Sequence, residues 1–126
     1  MNISITDALV LPDWLGTEQV SWQATTSLIE APHVPGRLDG GSGLSHPLDL
    51  LAVDAAFPQA ICPEPERQAA HQAWHYGEVL LVEIDFRLAA AVPGTRFDAN
   101  VMCETLRRVA KSVGAPASNF TVVVTL

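Results

Sequence analysis

The most informative run of residues lies past the middle of the chain and reads Val79-Leu80-Leu81-Val82-Glu83-Ile84-Asp85-Phe86-Arg87-Leu88-Ala89. From Val82 onward apolar and charged residues alternate, which is the period-2 pattern of a β-strand with one face toward a core. The first four residues are all apolar, which indicates that this end of the strand is covered on both faces. The pattern predicts one strand over residues 79–89. Its inward-facing side chains would be those of Val82, Ile84, Phe86 and Leu88.

A well-specified helix follows this strand. Asp98 is a natural N-cap, because its carboxylate can accept the free amide hydrogens of the first helical turn. Gly114 provides a left-handed stop, and Pro116 lies just beyond it. Between them, one apolar stripe recurs at helical spacing and consists of Met102, Leu106, Val109 and Val113. The residues therefore predict a helix between Asp98 and Gly114 that packs one face on a sheet.

The remaining elements are read outward from this unit. The β-branched run from Phe120 to Leu126 predicts a last strand. A first strand is predicted over Ile3–Leu11, and alternation over about Glu18–Glu30 predicts a second strand that pairs with it as an antiparallel hairpin. Leu48–Ala56 favours a short helix, with a strand as the alternative, and a further helix is predicted near Pro65–Tyr76. The order is then β-β-α-α-β-α-β. We expect a single α+β (mixed α/β) domain over residues 1–126, built as a two-layer sandwich of sheet and helices.

A stretch rich in glycine and proline, residues 32–47, is predicted to be a loop. Sixteen residues without regular structure in a small domain indicate a mobile surface loop, a binding loop or a segment that a partner orders. The phosphate-binding patterns G-x-x-x-x-G-K-[ST] and G-x-G-x-x-G are both absent from it. The side chains that could bind a ligand here are those of His33, Asp39, Ser42 and His46.

Two histidines stand at metal-ligand spacing. His71 and His75 are four residues apart on a predicted helix, so both imidazoles lie on one side, and Glu78 could supply a third ligand. The Glu of H-E-x-x-H is missing, and both histidines fall on the wet flank of the helix. A solvated pair is therefore the favoured interpretation, and no cofactor is predicted; a divalent metal such as zinc is the alternative.

Charge and composition exclude several classes of function. The chain has 7 basic and 14 acidic side chains, a formal charge of −7, and no cluster of cations for nucleic acid. No apolar run approaches the roughly 20 residues that span a bilayer, and the first residues do not resemble a secretory signal. We expect a cytoplasmic protein without nucleic-acid or membrane partners. Cys62 and Cys103 would be reduced thiols, buried as small apolar side chains.

The expected sheet edges and one tryptophan favour a function in association with another protein chain. The first and last strands are expected at sheet edges, which must be paired, covered or charged, and neither strand carries much charge. Trp14 lies in a predicted turn, where a large amphipathic ring is typical of an interface anchor. The interface candidates are Trp14, Phe120, Val122 and Val124. The sequence favours a non-catalytic assembly or protein-interaction module, acting as a homo-oligomer or with a protein partner, and no catalytic residue is assigned.

An alternative function stays open. It is a small metal-binding protein or enzyme that combines His71 and His75 with His33 or His46, and a small-molecule ligand is compatible with either function. The absence of every high-specificity catalytic motif argues for the first function over this one.

Overall fold

The computed structural model describes residues 3–25, 32–41, 43–56 and 65–123, which form an α+β fold as predicted. Its strands are β1 (Ile3–Thr6), β2 (Val20–Ala24), β3 (His33–Val34), β4 (Gly36–Gly41), β5 (Leu44–Pro47), β6 (Asp49–Ala52), β7 (Leu80–Ile84), β8 (Arg87–Val92) and β9 (Phe120–Val123). Its α-helices are α1 (Val53–Ala56), α2 (Pro65–His75) and α3 (Ala99–Ser112). None of the helices in these ranges is long and apolar enough to cross a membrane.

The strands form two sheets. The first sheet has the order β1-β7-β8-β6-β3, and the second sheet has the order β5-β4-β2-β9. Neighbouring strands are antiparallel except for β6 with β8 and β2 with β9, which are parallel. One long hairpin joins the sheets, because β3 continues into β4 past Pro35 while β5 continues into β6 past Leu48. The Leu48 amide donates to the Gly36 carbonyl at 3.1 Å where the hairpin passes between the sheets.

The first sheet is buried on both faces. One face packs with α3 and the inner face of the second sheet in a core that contains Trp22, Leu38, Leu88, Phe97 and Leu106. The other face forms a smaller core that contains Leu51, Val82, Ile84, Ala89 and Ala70 of α2. Burial on both faces explains the uninterrupted apolar run at the start of β7.

Helix α3 confirms its predicted cap, stripe and stop. The Asp98 carboxylate accepts the Val101 amide at 2.8 Å, and Gly114 has a φ of 76°. Met102, Leu106 and Val109 are fully buried, whereas Val113 is only partly buried. Cys103, expected to be buried, is exposed, because it lies on the helix flank shared with Ala99 and Arg107.

The single strand predicted over residues 79–89 is wrong: the stretch folds back on itself as the β7–β8 hairpin. Ile84 pairs with Arg87, so Asp85 and Phe86 form a two-residue turn. The inward position predicted for Phe86 is also wrong, since its side chain is 98% exposed. Ile84 and Leu88 are both buried, but in cores on opposite faces of the first sheet.

Two predictions for the first half of the chain are also wrong. The described residues of the 32–47 stretch lie mainly in β3, β4 and β5. Gly36 and Gly40 pack against tryptophan rings, whereas Gly41 and Gly43 have the positive φ angles of turn residues. The predicted hairpin of the first two strands does not form, because β1 pairs with β7 and β2 pairs with β4 and β9. Two short 3-10 helices, Ala8–Val10 and Asp13–Gly16, occupy the connection between β1 and β2. The stretch Leu48–Ala56, for which a helix or a strand was predicted, forms strand β6 in its first half and helix α1 in its second half.

Candidate functional site

The first and last described strands lie at sheet edges, as predicted. Strand β1 borders the first sheet and β9 borders the second, and no described strand pairs with the outer side of either. The two opposite edges are protected: β3 has only two residues, and β5 ends on Pro47, which has no amide hydrogen. Strands β1 and β9 lack charged residues and proline, so nothing in their own sequences blocks hydrogen bonding along these borders.

Strand β9 is the unprotected edge of the second sheet, and β1, whose Ile5 is 49% exposed, is the unprotected edge of the first. Strand β9 runs parallel to β2 with Phe120 opposite Val20 and Val122 opposite Trp22. Thr121 and Val123 project from the outer face of the second sheet, and Val123 is 49% exposed. No residue from Ser112 to the end of the chain is charged. Phe120 and Val122, both interface candidates, face the core, and the candidate Val124 lies outside the described residues.

Trp14, the other interface candidate, packs against the protein's own sheet. It lies in the 3-10 helix Asp13–Gly16, is partly buried, and contacts the main core. Its ring lies over Gly40, where a Cβ atom would come within 2.9 Å of the ring. Much of the Trp14 ring therefore packs against residues of its own chain.

A buried carboxylate organises one end of the first sheet. Asp49, 1% exposed at the start of β6, accepts two hydrogen bonds from Arg87, at 3.0 and 2.8 Å. His33 Nε2 lies 3.0 Å from it, and the Gly36 amide donates at 3.2 Å. Burial raises the pKa of Asp49, but the hydrogen bonds from these three donors outweigh burial and hold the pKa below its ordinary value. The hydrogen bonds between Asp49 and Arg87 also hold the guanidinium group in place, and they raise the pKa of Arg87.

A second carboxylate with the same kinds of partner lies beyond the other end of β6. Asp54 in α1 accepts from Arg67 at 2.6 Å and from the Gly94 amide at 2.7 Å, and His71 Nε2 lies 2.9 Å from it. Burial raises its pKa, and the hydrogen bonds from His71, Gly94 and Arg67 lower it by more. Asp54 therefore ties α1, α2 and the loop after β8 together.

The predicted metal candidates are placed on and just after α2. His71 engages Asp54, whereas His75 packs edge-on against Tyr76, with ring centroids 5.2 Å apart. Glu78 follows Gly77, whose φ of 81° ends the helix. Within the described ranges, no group of three or more His, Cys, Asp or Glu side chains could hold a metal ion.

The predicted loop candidates are spread over three strands. His33 in β3 binds Asp49, and the Asp39 carboxylate in β4 accepts the Gly41 amide at 3.0 Å. His46 in β5 places its Nδ1 at 2.8 Å from the Pro47 carbonyl. Ser42 lies outside the described residues. Asp39 and His46 lie on opposite faces of the second sheet, so the structure does not assemble these side chains into one site.

A cavity of about 630 Å³ lies where the ends of α2 and α3 meet. Its charged lining residues are Glu104, Arg107, Arg108 and Lys111, and the rest are glycines and alanines. Arg108 stacks on Trp74, 3.6 Å from the ring centroid, and donates to the carbonyls of Trp74 and Glu78. Hydrogen bonding to Arg108 lowers the pKa of Glu104, which also pairs with Arg107. The sequence did not reveal this cavity, because it joins two separate helix ends.

The tip of the β7–β8 hairpin is the other feature that sequence reasoning missed. Asp85 and Phe86 have φ angles of 48° and 69°, as in a type I′ turn, where asparagine and glycine are the usual residues. The sequence gives no clear sign of this turn, because Asp85 and Phe86 stand in the middle of an alternating run that predicts one continuous strand.

No protein-family model matches this chain, and neither a curated protein nor a solved structure is detectably similar to it. The function is therefore argued from the geometry alone.

Proposed function

We propose that this protein acts by association with a second copy of itself, as a non-catalytic assembly module. The observation that carries the proposal is the unprotected edge at β9. An edge strand with free amides and carbonyls and without charge or proline is a template for pairing with another strand.

The chemistry of β9 favours an identical partner. A two-fold axis places the same surface on both sides of an interface, so like charges would repel each other there. Strand β9 and the segment before it from Ser112 carry no charge, although the chain as a whole carries −7. Two copies of β9 can therefore pair as antiparallel strands and extend the second sheet across the interface.

A single charge placed on the β9 edge tests this proposal. Val123→Lys places an ammonium group on an exposed position of β9, and a two-fold interface would bring two of them together. We expect the dissociation constant of the dimer to rise at least tenfold, which corresponds to about 1.4 kcal/mol. Sedimentation equilibrium over a wide range of protein concentration measures it, and circular dichroism checks that the variant folds.

The matched control is Ser45→Lys, on the exposed outer face of the opposite edge strand, β5. This variant adds the same charge to the same face of the same sheet and should associate like the wild type. A wild-type protein that stays monomeric at every concentration would refute the proposal. So would equal effects of the two lysines.

One observation supports a second candidate, an acid–base or metal site on α2. The carboxylate of Asp54 contacts the Nε2 atom of His71. The His71 side chain is 48% exposed, so its other ring nitrogen, Nδ1, is available to a ligand. Zinc titration by calorimetry tests this candidate. Binding that is lost in His71→Ala and retained in His46→Ala would support it, and absence of heat in the wild type would exclude zinc as the ligand.

A further inference from the structure

The Asp85–Phe86 tip combines an unfavourable backbone with an unfavourable exposure. Left-handed backbone is uncommon for residues other than glycine, and a bulky side chain such as phenylalanine is an outlier there. The ring of Phe86 is 98% exposed, so the protein gains nothing from burying it. Strain and apolar exposure at the same residue are typical of a position kept for contact with another molecule.

The rest of the hairpin holds this tip rigidly. Arg87, the next residue, is fixed to the buried carboxylate of Asp49 by two hydrogen bonds. Ile84, on the other side of the turn, is 4% exposed in the smaller core. Phe86 is thus presented on a fixed support, which reduces the entropy that an anchor residue loses on binding.

The cavity between α2 and α3 has the features of a receptor for this tip. Its volume of about 630 Å³ lies within the usual range for ligand pockets, roughly 300–1,000 Å³. Three cations and one carboxylate line it, so 3 − 1 leaves a net charge of +2. Lys111 forms no ion pair with any residue in the described ranges. Arginine and lysine attract the face of an aromatic ring as well as a carboxylate.

The tip carries the complementary charge. The exposed side chain of Glu83 lies two residues before the ring's neighbour in the turn, while the charge of Arg87 is balanced by Asp49. Acidic residues beside the ring also disfavour an anionic membrane as its target.

Tip and cavity lie at opposite ends of the same hairpin. Strand β7 begins at Leu80, shortly after the cavity residue Gly77, and ends at Ile84 next to the turn. The tip therefore cannot reach the cavity of its own chain. We propose that Phe86 of one copy inserts into the Arg107–Lys111 cavity of the next, as a head-to-tail contact separate from the β9 edge.

This inference rests on the proposed self-association but uses a different surface, and a cross-linking experiment tests it directly. Phe86 is replaced by the photo-reactive analogue p-benzoylphenylalanine in the full chain, and illuminated protein is digested and analysed by mass spectrometry. We expect covalent dimers in which position 86 is joined to the segment 104–117. Cross-links only to other segments, or none, would overturn the inference.

Two substitutions at the tip distinguish the effect of the Phe86 ring from the effect of its strained backbone. Phe86→Gly should remove the contact and also raise the melting temperature by roughly 2–5 °C, because glycine accepts the left-handed conformation. Phe86→Ala should remove the contact without that gain. If both variants associate like the wild type, the inference fails while the proposal for β9 stands, and Val123→Lys decides the latter independently.

Reversing one charge in the cavity and one near the tip tests whether the cavity receives the tip. Lys111→Glu should weaken the cross-link to the cavity at least fivefold, and adding Glu83→Lys should restore it. Glu18→Lys is the control for the second change, since it adds the same charge at an exposed position away from the tip. Rescue by Glu18→Lys as well would show a general charge effect and overturn the specific contact.

Discussion

At the scale of single residues, the buried polar side chain of Asp49 connects several elements of the fold. Its carboxylate is buried and links β3, β4, β6 and β8 through three kinds of donor. Since its pKa is lower in the folded protein than the ordinary value of 3.8, the ionised form contributes stability above that pH. The contribution is lost as the pH falls through the folded pKa.

We therefore expect Asp49→Asn to destabilise the protein by about 3 kcal/mol at pH 6, because a buried group loses its charge-assisted hydrogen bonds. The difference from the wild type should shrink as the pH falls from the ordinary pKa of 3.8 through the lower folded-state pKa, because the wild-type carboxylate then also becomes neutral. Urea unfolding at pH 6 and pH 3 measures both values. Asp39→Asn, at a partly exposed carboxylate, is the control, and a difference for Asp49→Asn that did not change with pH would contradict the assignment.

Glycine at position 36 is required by a tryptophan ring. A Cβ atom there would come within 2.8 Å of Trp22 Nε1 and closer still to two ring carbons. The ring is fully buried, and its Nε1–H donates to the Leu48 carbonyl at 2.7 Å, so it cannot move aside cheaply. We expect Gly36→Ala to cost about 3 kcal/mol in the free energy of unfolding, measured by urea denaturation.

The comparison variant is Gly40→Ala. A Cβ at Gly40 would meet the ring of Trp14, which is only partly buried and can shift toward solvent. The cost should be clearly smaller than at Gly36. Equal costs at the two positions would mean that the burial of the facing ring does not set the penalty.

At the scale of elements, α3 depends on a local cap. Asp98 accepts the Val101 amide, one of the free donors of the first turn. We expect Asp98→Ala to destabilise the protein by about 1 kcal/mol and Asp98→Asn to cost much less, because asparagine is also a good N-cap. Urea midpoints give both values, and equal losses would show that the charge rather than the cap is what matters.

The predictability of each element follows from how local its determinants are. The cap, stripe and stop of α3 lie within about four turns of one another, so the sequence alone predicted that helix. The turn at Asp85–Phe86 lacks the asparagine and glycine that mark a tight hairpin, and the alternation of apolar and charged residues continues through it, so the sequence predicted one unbroken strand. Gly36 and Gly40 resembled loop residues because their role depends on rings from distant parts of the chain.

The candidate sites show the same limit. The pairs His33 with Asp49 and His71 with Asp54 join residues 16 and 17 positions apart, on separate elements that no motif connects. The edge positions of β1 and β9 were predicted, and the strand order confirms both. Which edges are unprotected emerged only from the strand order, since β3 and β5 were not predicted as strands.

At the scale of the whole molecule, net charge opposes the association that the edges favour. Each copy carries −7 at neutral pH and approaches zero charge near the isoelectric point of about 4.8. Repulsion between copies therefore decreases as the pH is lowered from 7.5 to 5.5. The fold should persist over this range, because the pKa values of Asp49 and Asp54 both lie below 3.8.

We therefore expect the dissociation constant of self-association to fall severalfold between pH 7.5 and pH 5.5, measured by sedimentation at constant ionic strength. Added salt should diminish the difference, because it screens the repulsion between copies. The Val123→Lys variant separates the two contributions: it also loses repulsion at low pH, but it keeps its lysines at the interface and should remain weaker than the wild type throughout. Association that weakens on acidification in intact, folded protein would mean that ionised carboxylates hold the copies together, which an uncharged edge cannot explain.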